Sequence, residues 1–252
     1  MSIVFASGFL VPQQIAGQAY FRGAAAAFPG ALFPPVPPIA DIGARADRLA
    51  SEINAAFPNG PIHIVAHSMA GLDSRFLLSN NLLGLANPGR IVSLSMISTP
   101  NLGSPVADLL AGAEPSLFDP RRLTYDLIVH LAGEFGAPVG ALGDLTSGSA
   151  AAFNAANHNV AGVRYFSYAA SGMESFILKP FHILIETTGQ TADDKANDGL
   201  VSVKSAAWTP LAEPPWPTDH IGEVGYNLSS PTLASTFDHI AAYRRVLARA
   251  GV

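Results

Sequence analysis

Three residues spaced widely along the chain could together activate an oxygen nucleophile: Ser68, Asp198 and His220. A serine hydroxyl is a weak nucleophile until an imidazole takes its proton, and the imidazole needs a carboxylate to hold its tautomer. Ser68 stands in IHIVAHSMAG, residues 62–71, where an apolar strand runs straight into the serine and then straight into a helix. So sharp a turn strains the serine backbone and pushes the hydroxyl out of the sheet. Strand and helix close on each other there, which asks for small residues two positions to either side. Ala66 and Ala70 stand where glycine is usual. The new helix directs its first N–H groups and its dipole at the reacting oxygen, so the N–H of Met69 is expected to be an oxyanion donor. The same stretch would also suit a serine that caps the helix of an ordinary βα unit.

In hydrolases built on such an elbow the acid and then the histidine follow the serine along the chain. The candidate acids are Asp193, Asp194 and Asp198. Asp198 lies in NDGLV, a turn feeding a short apolar run that would fix its side chain at the sheet edge, whereas Asp193 and Asp194 lie in TADDK, which reads as a solvated loop. The candidate bases are His220 and His239. His220 lies in the loop PWPTDHIGE and can swing to the serine; His239 falls within a terminal amphipathic helix, where a histidine is usually surface or core. His63, His130, His158 and His182 precede the acid and break the order. His67, beside the nucleophile, should point elsewhere and serve packing. A second oxyanion donor is expected from the first strand's loop, Ser7-Gly8-Phe9-Leu10, where Gly8 lets the backbone approach and the N–H of Phe9 would face the site.

The elements that must position these groups follow from apolar spacing. Buried strands are expected at 3–6, 62–66, 91–97 and 163–170, and helices at 42–57, 69–78 and 236–250. Asp41 is the expected N-cap of the first helix and Pro58-Asn59-Gly60 its stop. Proline-rich ALFPPVPP, 31–38, suits at most an edge strand. Alternating strands and helices predict a mostly parallel sheet covered on both faces. Residues 105–145 carry helix signals without a convincing strand; Leu123, Leu127, Leu131 and Phe135 form a stripe at four-residue spacing, with Asp126, His130 and Glu134 on another side. The stretch from Gly172 through Pro180 to Asn197 reads as a mobile insert, and Leu200 to Ala206 as a last short strand. No internal repeat or second domain is visible, so residues 1–252 are expected to form one domain.

Composition narrows the partners. The 252 residues are 49% hydrophobic and only 13% charged, with a net charge of −5. That balance suits a well-filled interior and either an apolar patch for lipid-like matter or a surfeit of alanine. No basic cluster tracks phosphates, which argues against nucleic acid. The absence of cysteine excludes disulfides and a cysteine nucleophile. No apolar run reaches the length of a membrane span. MSIVFASGFL has no positive n-region and reads as a strand, not a signal peptide; the chain is expected to be cytoplasmic as the sequence stands, or secreted if a leader has been trimmed away.

Taken in order, these segments resemble the bacterial true lipases, the triacylglycerol lipases of the α/β-hydrolase superfamily, from Ile3 to about Asn227. Ser7-Gly8-Phe9 matches the family's His-Gly-Leu oxyanion turn, AHSMAGLDSRF its nucleophile segment, and Thr99 to Ser104 its T-P-x-x-G-S. LTSGSAAAFN, residues 145–154, matches a later segment, NDGLVS the acid motif, and His220 to Val224 the base motif H-x-x-E-V. The resemblance implies an α/β-hydrolase fold, Ser68, Asp198 and His220 as a triad, and a helical lid within residues 105–145, for which the 123–135 helix is the candidate. That stripe could equally pack on the core. The activity implied is hydrolysis of acyl esters, triacylglycerols or related lipids, at a lipid–water interface. The same machinery would serve a short-chain esterase, a polyester hydrolase or an acyltransferase; a non-catalytic relative would be expected to lack a triad member. No metal or organic cofactor is needed for this chemistry. Many relatives bind calcium through a pair of aspartates, one of them two residues after the histidine; here that residue is Gly222, with no clear partner upstream, which argues against a structural calcium. Oligomeric state is not legible.

Overall fold

Runs rich in Val and Ile form a parallel sheet because both of their faces are apolar. The computed structural model describes residues 2–8, 14–15, 18–112, 114–116, 119, 122, 125–126, 129–130 and 139–252. Strands β1 (Ser2–Ala6), β4 (Ile62–His67), β5 (Ile91–Ile97) and β6 (Arg164–Tyr168) pair in the order β1-β4-β5-β6, every pair parallel. The short strands β2 (Gln14–Ile15) and β3 (Gln18–Ala19) form a separate antiparallel pair. The proline-rich stretch contributes one parallel bridge, Leu32 to Val4, at the edge beside β1.

The period of two along each strand sorts side chains between two cores. Val4, Ile62, Ile64, Ala66, Leu94 and Met96 face helices α2 (Ile42–Ala56) and α3 (Ala70–Ser79), which contribute Leu49, Ile53, Leu77 and Leu78. Phe5, Val65, Ile97 and Tyr168 face Tyr243, Val246 and Leu247 of the terminal helix (His239–Arg249). Asp41 caps α2 as expected, its carboxylate accepting from Ala44 N–H at 2.8 Å. Helix α1 (Ala24–Ala27) is one turn.

Two expectations are corrected. The stretch from Gly172 to Asn197 is not a loose insert: it contains helices at Lys179–Thr188 and Ala192–Lys195. Phe181, Leu184 and Ile185 of the first are buried against Met69, Leu72 and Leu110. Pro180 lies in the helix's first turn, where its missing N–H costs no bond, so it starts a helix instead of breaking one. Residues 200–206 are not a strand. They turn and enter a short helix, Val203–Ala206, whose N-cap Ser202 accepts from Ser205 N–H.

The 105–145 segment is anchored at both ends. Helix Pro105–Ala111 buries Val106, Ala107, Leu109 and Leu110, and Leu142 and Leu145 join the same cluster. Of the 123–135 stripe, Leu123, Leu127, Leu131 and Phe135 lie outside the described residues, as does Glu134. Asp126 and His130 are helical and exposed, and Tyr125 packs against the core cluster. Among the described residues, no helix is long and apolar enough to cross a membrane.

Candidate active site

Ser68 sits where β4 ends. Its φ of 59° is left-handed, a conformation that an L-residue adopts only when its surroundings impose it. The strand ladder imposes it from one side, through Ser68 N–H to Ile97 C=O at 2.9 Å. The Thr99 hydroxyl imposes it from the other, donating to Ser68 C=O at 2.9 Å. His67 and Met69 are buried, whereas Ser68 is only half-buried. Helix α3 takes Met69 as its N-cap with no side-chain capping bond, so the serine hydroxyl is not serving as a cap. Met69 opens the helix, and the N–H groups of a first turn have no partner within the helix.

The tightest approach falls one residue beyond the expected one. Ala66 and Ala70 are accommodated, but a Cβ on Gly71 would lie 2.0 Å from Thr99 Oγ1 and 2.8 Å from its Cβ. Gly71→Ala is therefore expected to destabilise the protein by about 1–3 kcal/mol in denaturant titrations by displacing Thr99. A full-stability variant would show that the Thr99 contact does not constrain the elbow. Gly8 faces the same turn from β1: a Cβ there would sit 2.6 Å from Ser68 Cβ. Phe9, the expected second oxyanion donor, lies outside the described residues.

Asp198 and His220 meet. His220 Nδ1 lies 2.8 Å from Asp198 Oδ2, while Asp198 Oδ1 accepts from the N–H groups of Leu200 (2.8 Å) and Val201 (2.7 Å). His220 N–H also donates to Asp198 C=O at 2.9 Å, so backbone and side chain fix the pair together. The carboxylate can only accept, so Nδ1 carries the proton and Nε2 keeps its lone pair. The imidazole reaches the elbow through His67, whose ring centroid is 4.5 Å from that of His220. No hydrogen bond joins the imidazole to the Ser68 hydroxyl among the described residues. Such bonds are often long before substrate binds.

His67 is not the simple packing residue expected. Its Nε2 lies 2.8 Å from Glu223 Oε2, and its Nδ1 lies 2.6 Å from the Tyr20 hydroxyl. The Ser98 hydroxyl donates to Glu223 Oε1 at 2.5 Å. Burial drives His67 well below the ordinary histidine range, reinforced by His220. Burial drives Glu223 well above the carboxylate range, reinforced by Asp198. Among the described residues, His67, His220 and Glu223 form the cluster that could hold a metal. The ring nitrogens facing it are already committed, His67 Nε2 to Glu223 and His220 Nδ1 to Asp198.

A buried arginine joins the two sides of the site. Arg45 donates from Nε to Asp73 Oδ2 of α3 at 2.8 Å, and from one terminal nitrogen to the carbonyls of Ser7 (2.8 Å) and Gly8 (3.2 Å). Its other terminal nitrogen reaches the Pro37 carbonyl at 2.5 Å. The remaining candidates have structural partners. His63 bonds Ser93 Oγ, His239 bonds Arg22 C=O, and Asp194 closes a capping box with Thr191. Asp219, next to His220, accepts from the N–H groups of Glu174, Ser175, Ile221 and Gly222 and so ties the histidine loop down.

No family model matches the chain. It is 28% identical over 171 residues to triacylglycerol lipase 2 of Saccharomyces cerevisiae, across 66% of this chain and 47% of that one. The chain thus spans about half the length of this curated relative. Among solved structures it is similar to a mature lipase of Bacillus licheniformis, with a TM-score of 0.70, 19% identity, and 99% of this chain and 91% of that one covered. It is similar to a metagenomic carboxyl esterase, with a TM-score of 0.72, 19% identity, and coverage of 100% and 75%. Lipase 1 from Pelosinus fermentans aligns with a TM-score of 0.61, 16% identity, and coverage of 98% and 97%. With its parallel sheet, flanking helices and strained serine turn, the chain has the α/β-hydrolase fold.

Proposed function

We propose that this protein is a serine carboxylic ester hydrolase of the lipase or esterase type, acting through Ser68, His220 and Asp198. The observation that carries the reading is the left-handed Ser68 on its strand–helix turn, together with an imidazole that a buried carboxylate already orients and whose ring lies 4.5 Å from that of the serine's neighbour His67. Ser68 attacks the ester carbonyl while His220 Nε2 takes its proton, and Asp198 stabilises the imidazolium without being protonated. The N–H groups of Met69 and Phe9 stabilise the tetrahedral oxyanion. His220 then protonates the departing alcohol, and water repeats the cycle on the acyl-enzyme. A yeast lipase relative and lipase and esterase fold neighbours support acyl esters as the substrate class.

The chemistry uses no metal or organic cofactor. A structural calcium beside the base is disfavoured on geometric grounds: a Cβ on Gly222, where relatives carry an aspartate, would lie 1.9 Å from Thr218 Oγ1. In this reading the 105–145 segment is a lid hinged on its two buried ends, and an ester substrate, at a lipid surface when long-chained, is the partner. A fluorophosphonate probe is expected to add one covalent mass to the peptide carrying Ser68, and no label there would sink the proposal. Hydrolysis rates across acyl chain lengths, with and without an emulsion, then separate a lipase from a short-chain esterase.

A further inference from the structure

Behind the proposed base runs a hydrogen-bonded chain that the mechanism above leaves unused. It starts at the Tyr20 phenol, which packs against the Gly8 turn: a Cβ on Gly8 would lie 2.9 Å from the phenol oxygen. It continues from that phenol to His67 Nδ1 (2.6 Å) and from His67 Nε2 to Glu223 Oε2 (2.8 Å), with Ser98 closing on Glu223 Oε1 at 2.5 Å. Tyr20, His67, Ser98 and Glu223 are all buried, so each hydrogen must find an acceptor inside the protein.

The first link fixes the direction of the rest. Among the described residues the partner of the buried phenol is His67 Nδ1, so the Tyr20 hydrogen finds its acceptor there. Nδ1 is then bare, the neutral ring carries its proton on Nε2, and that proton goes to Glu223. Ser98 donates to the other carboxylate oxygen. The opposite setting starts from a Glu223 carboxylic acid donating to His67. It would put a hydrogen on Nδ1 aimed at the phenol and leave the Tyr20 hydrogen without its acceptor in a dry site, at a cost comparable to a lost hydrogen bond.

The geometry points to a positioning relay, Tyr20–His67–Glu223, that keeps Glu223 a carboxylate beside His220 and so supports the imidazolium formed when His220 takes the serine proton. It rests on the reading of His220 as general base. Glu223 Oε2 lies 3.8 Å from His220 Nδ1, close enough for its charge to act on the ring, while the hydrogen bond of that nitrogen goes to Asp198. The groups facing Glu223 come from every element around it. They are His67 at the end of β4, Ser98 after β5, Asp198, Asp219 and His220 from the loops, and Tyr243 of the terminal helix, whose hydroxyl donates to the Glu223 carbonyl at 2.6 Å. Burial and the charges of Asp198 and Asp219 push Glu223 towards its neutral form, and the Ser98 hydroxyl and the His67 N–H donate against that push. The same chain connects the Gly8 turn, which faces Ser68, to the back of the base.

The sign of the pH effect follows. A negative charge beside His220 favours its protonated form, and removing that charge disfavours it. The fall of kcat/KM in acid, which tracks protonation of the base, should therefore move to lower pH in Glu223→Gln, by about half a unit to one unit. Tyr20→Phe, which keeps the ring and removes the hydroxyl, should move it in the same direction. Each variant should lower kcat about 5- to 20-fold, and the double variant should be no worse than the more severe single, because both break one chain. Independently of activity, 15N spectra of histidine-labelled protein should show His67 protonated on Nε2 in the wild type and redistributed between tautomers in Tyr20→Phe. A His67 proton on Nδ1 in the wild type, or additive losses with an unmoved acid limb, would overturn the relay. Activity surviving Ser68→Ala would instead defeat the hydrolase reading and leave the tautomer result standing.

Discussion

Ser68→Ala is expected to lower kcat on a chromogenic ester by about 10⁴-fold or more, the loss seen when the nucleophile of a serine triad is removed. The size follows from the division of labour. The oxyanion donors and substrate binding remain, but the covalent path and the activated hydroxyl are gone, so only the residual catalysis of the empty site is left. Stability should change by less than about 0.5 kcal/mol, because the substitution removes one half-buried oxygen that caps nothing and leaves the backbone bonds to Ile97 and Thr99 in place. His220→Ala should fall to a similar floor, and combining it with Ser68→Ala should lower the rate little further, since the two act as one unit. A variant that keeps more than a few per cent of wild-type turnover, once contaminating esterase is excluded by active-site titration, would mean that Ser68 is not the nucleophile.

How much of this site could be read from the sequence depended on whether a residue's role is local. The elbow is local: an apolar run, a serine and a helix start are contiguous, and the left-handed φ at Ser68 is where they meet. Asp198 was legible because NDG specifies a turn, and Gly199 takes the positive φ of 95° that this turn requires. His220 was legible as a candidate because it stands in a loop after Asp198, with which it pairs. Glu223, Tyr20 and Ser98 were not, because their meaning arises only when β4, β5 and the His220 loop pack together. Glu223 gave one signal, its position three residues after His220, which a 3-10 turn (Gly222–Val224) folds back against the imidazole. The error at 200–206 has a plain cause. A short apolar run has no period long enough to separate strand from helix, and the serine at 202 turned out to be a cap. Residues 172–197 misled through Pro180, which breaks a helix in its interior but is at home in the first turn.

Arg45 was the most legible of the missed residues. Helix α2 buries Ile42, Ala46, Leu49 and Ile53, and Arg45 falls on that same stripe, so a charge at a core position should have asked for its partner. The partner is Asp73, whose carboxyl burial pushes up to about 7 against the opposing pull of the guanidinium. Arg45→Met is expected to destabilise the fold by about 3–5 kcal/mol, since it leaves a buried carboxylate without its cation. Asp73→Leu added to it should recover part of that loss, because a well-packed apolar pair can replace a buried ion pair. Activity should not recover with it. Arg45 also holds the carbonyls of Ser7 and Gly8, and no apolar side chain at 45 or 73 can donate to them. Phe9 follows Gly8 in the chain, so losing this grip is expected to loosen the turn that carries the donor proposed at residue 9. The double variant is accordingly expected to regain thermal stability while its kcat stays about 10- to 100-fold low with KM little changed, the signature of a lost oxyanion contact. Urea titration and steady-state kinetics on the same preparations separate the two effects. Full activity in a restabilised double variant would show that Arg45 serves the fold alone.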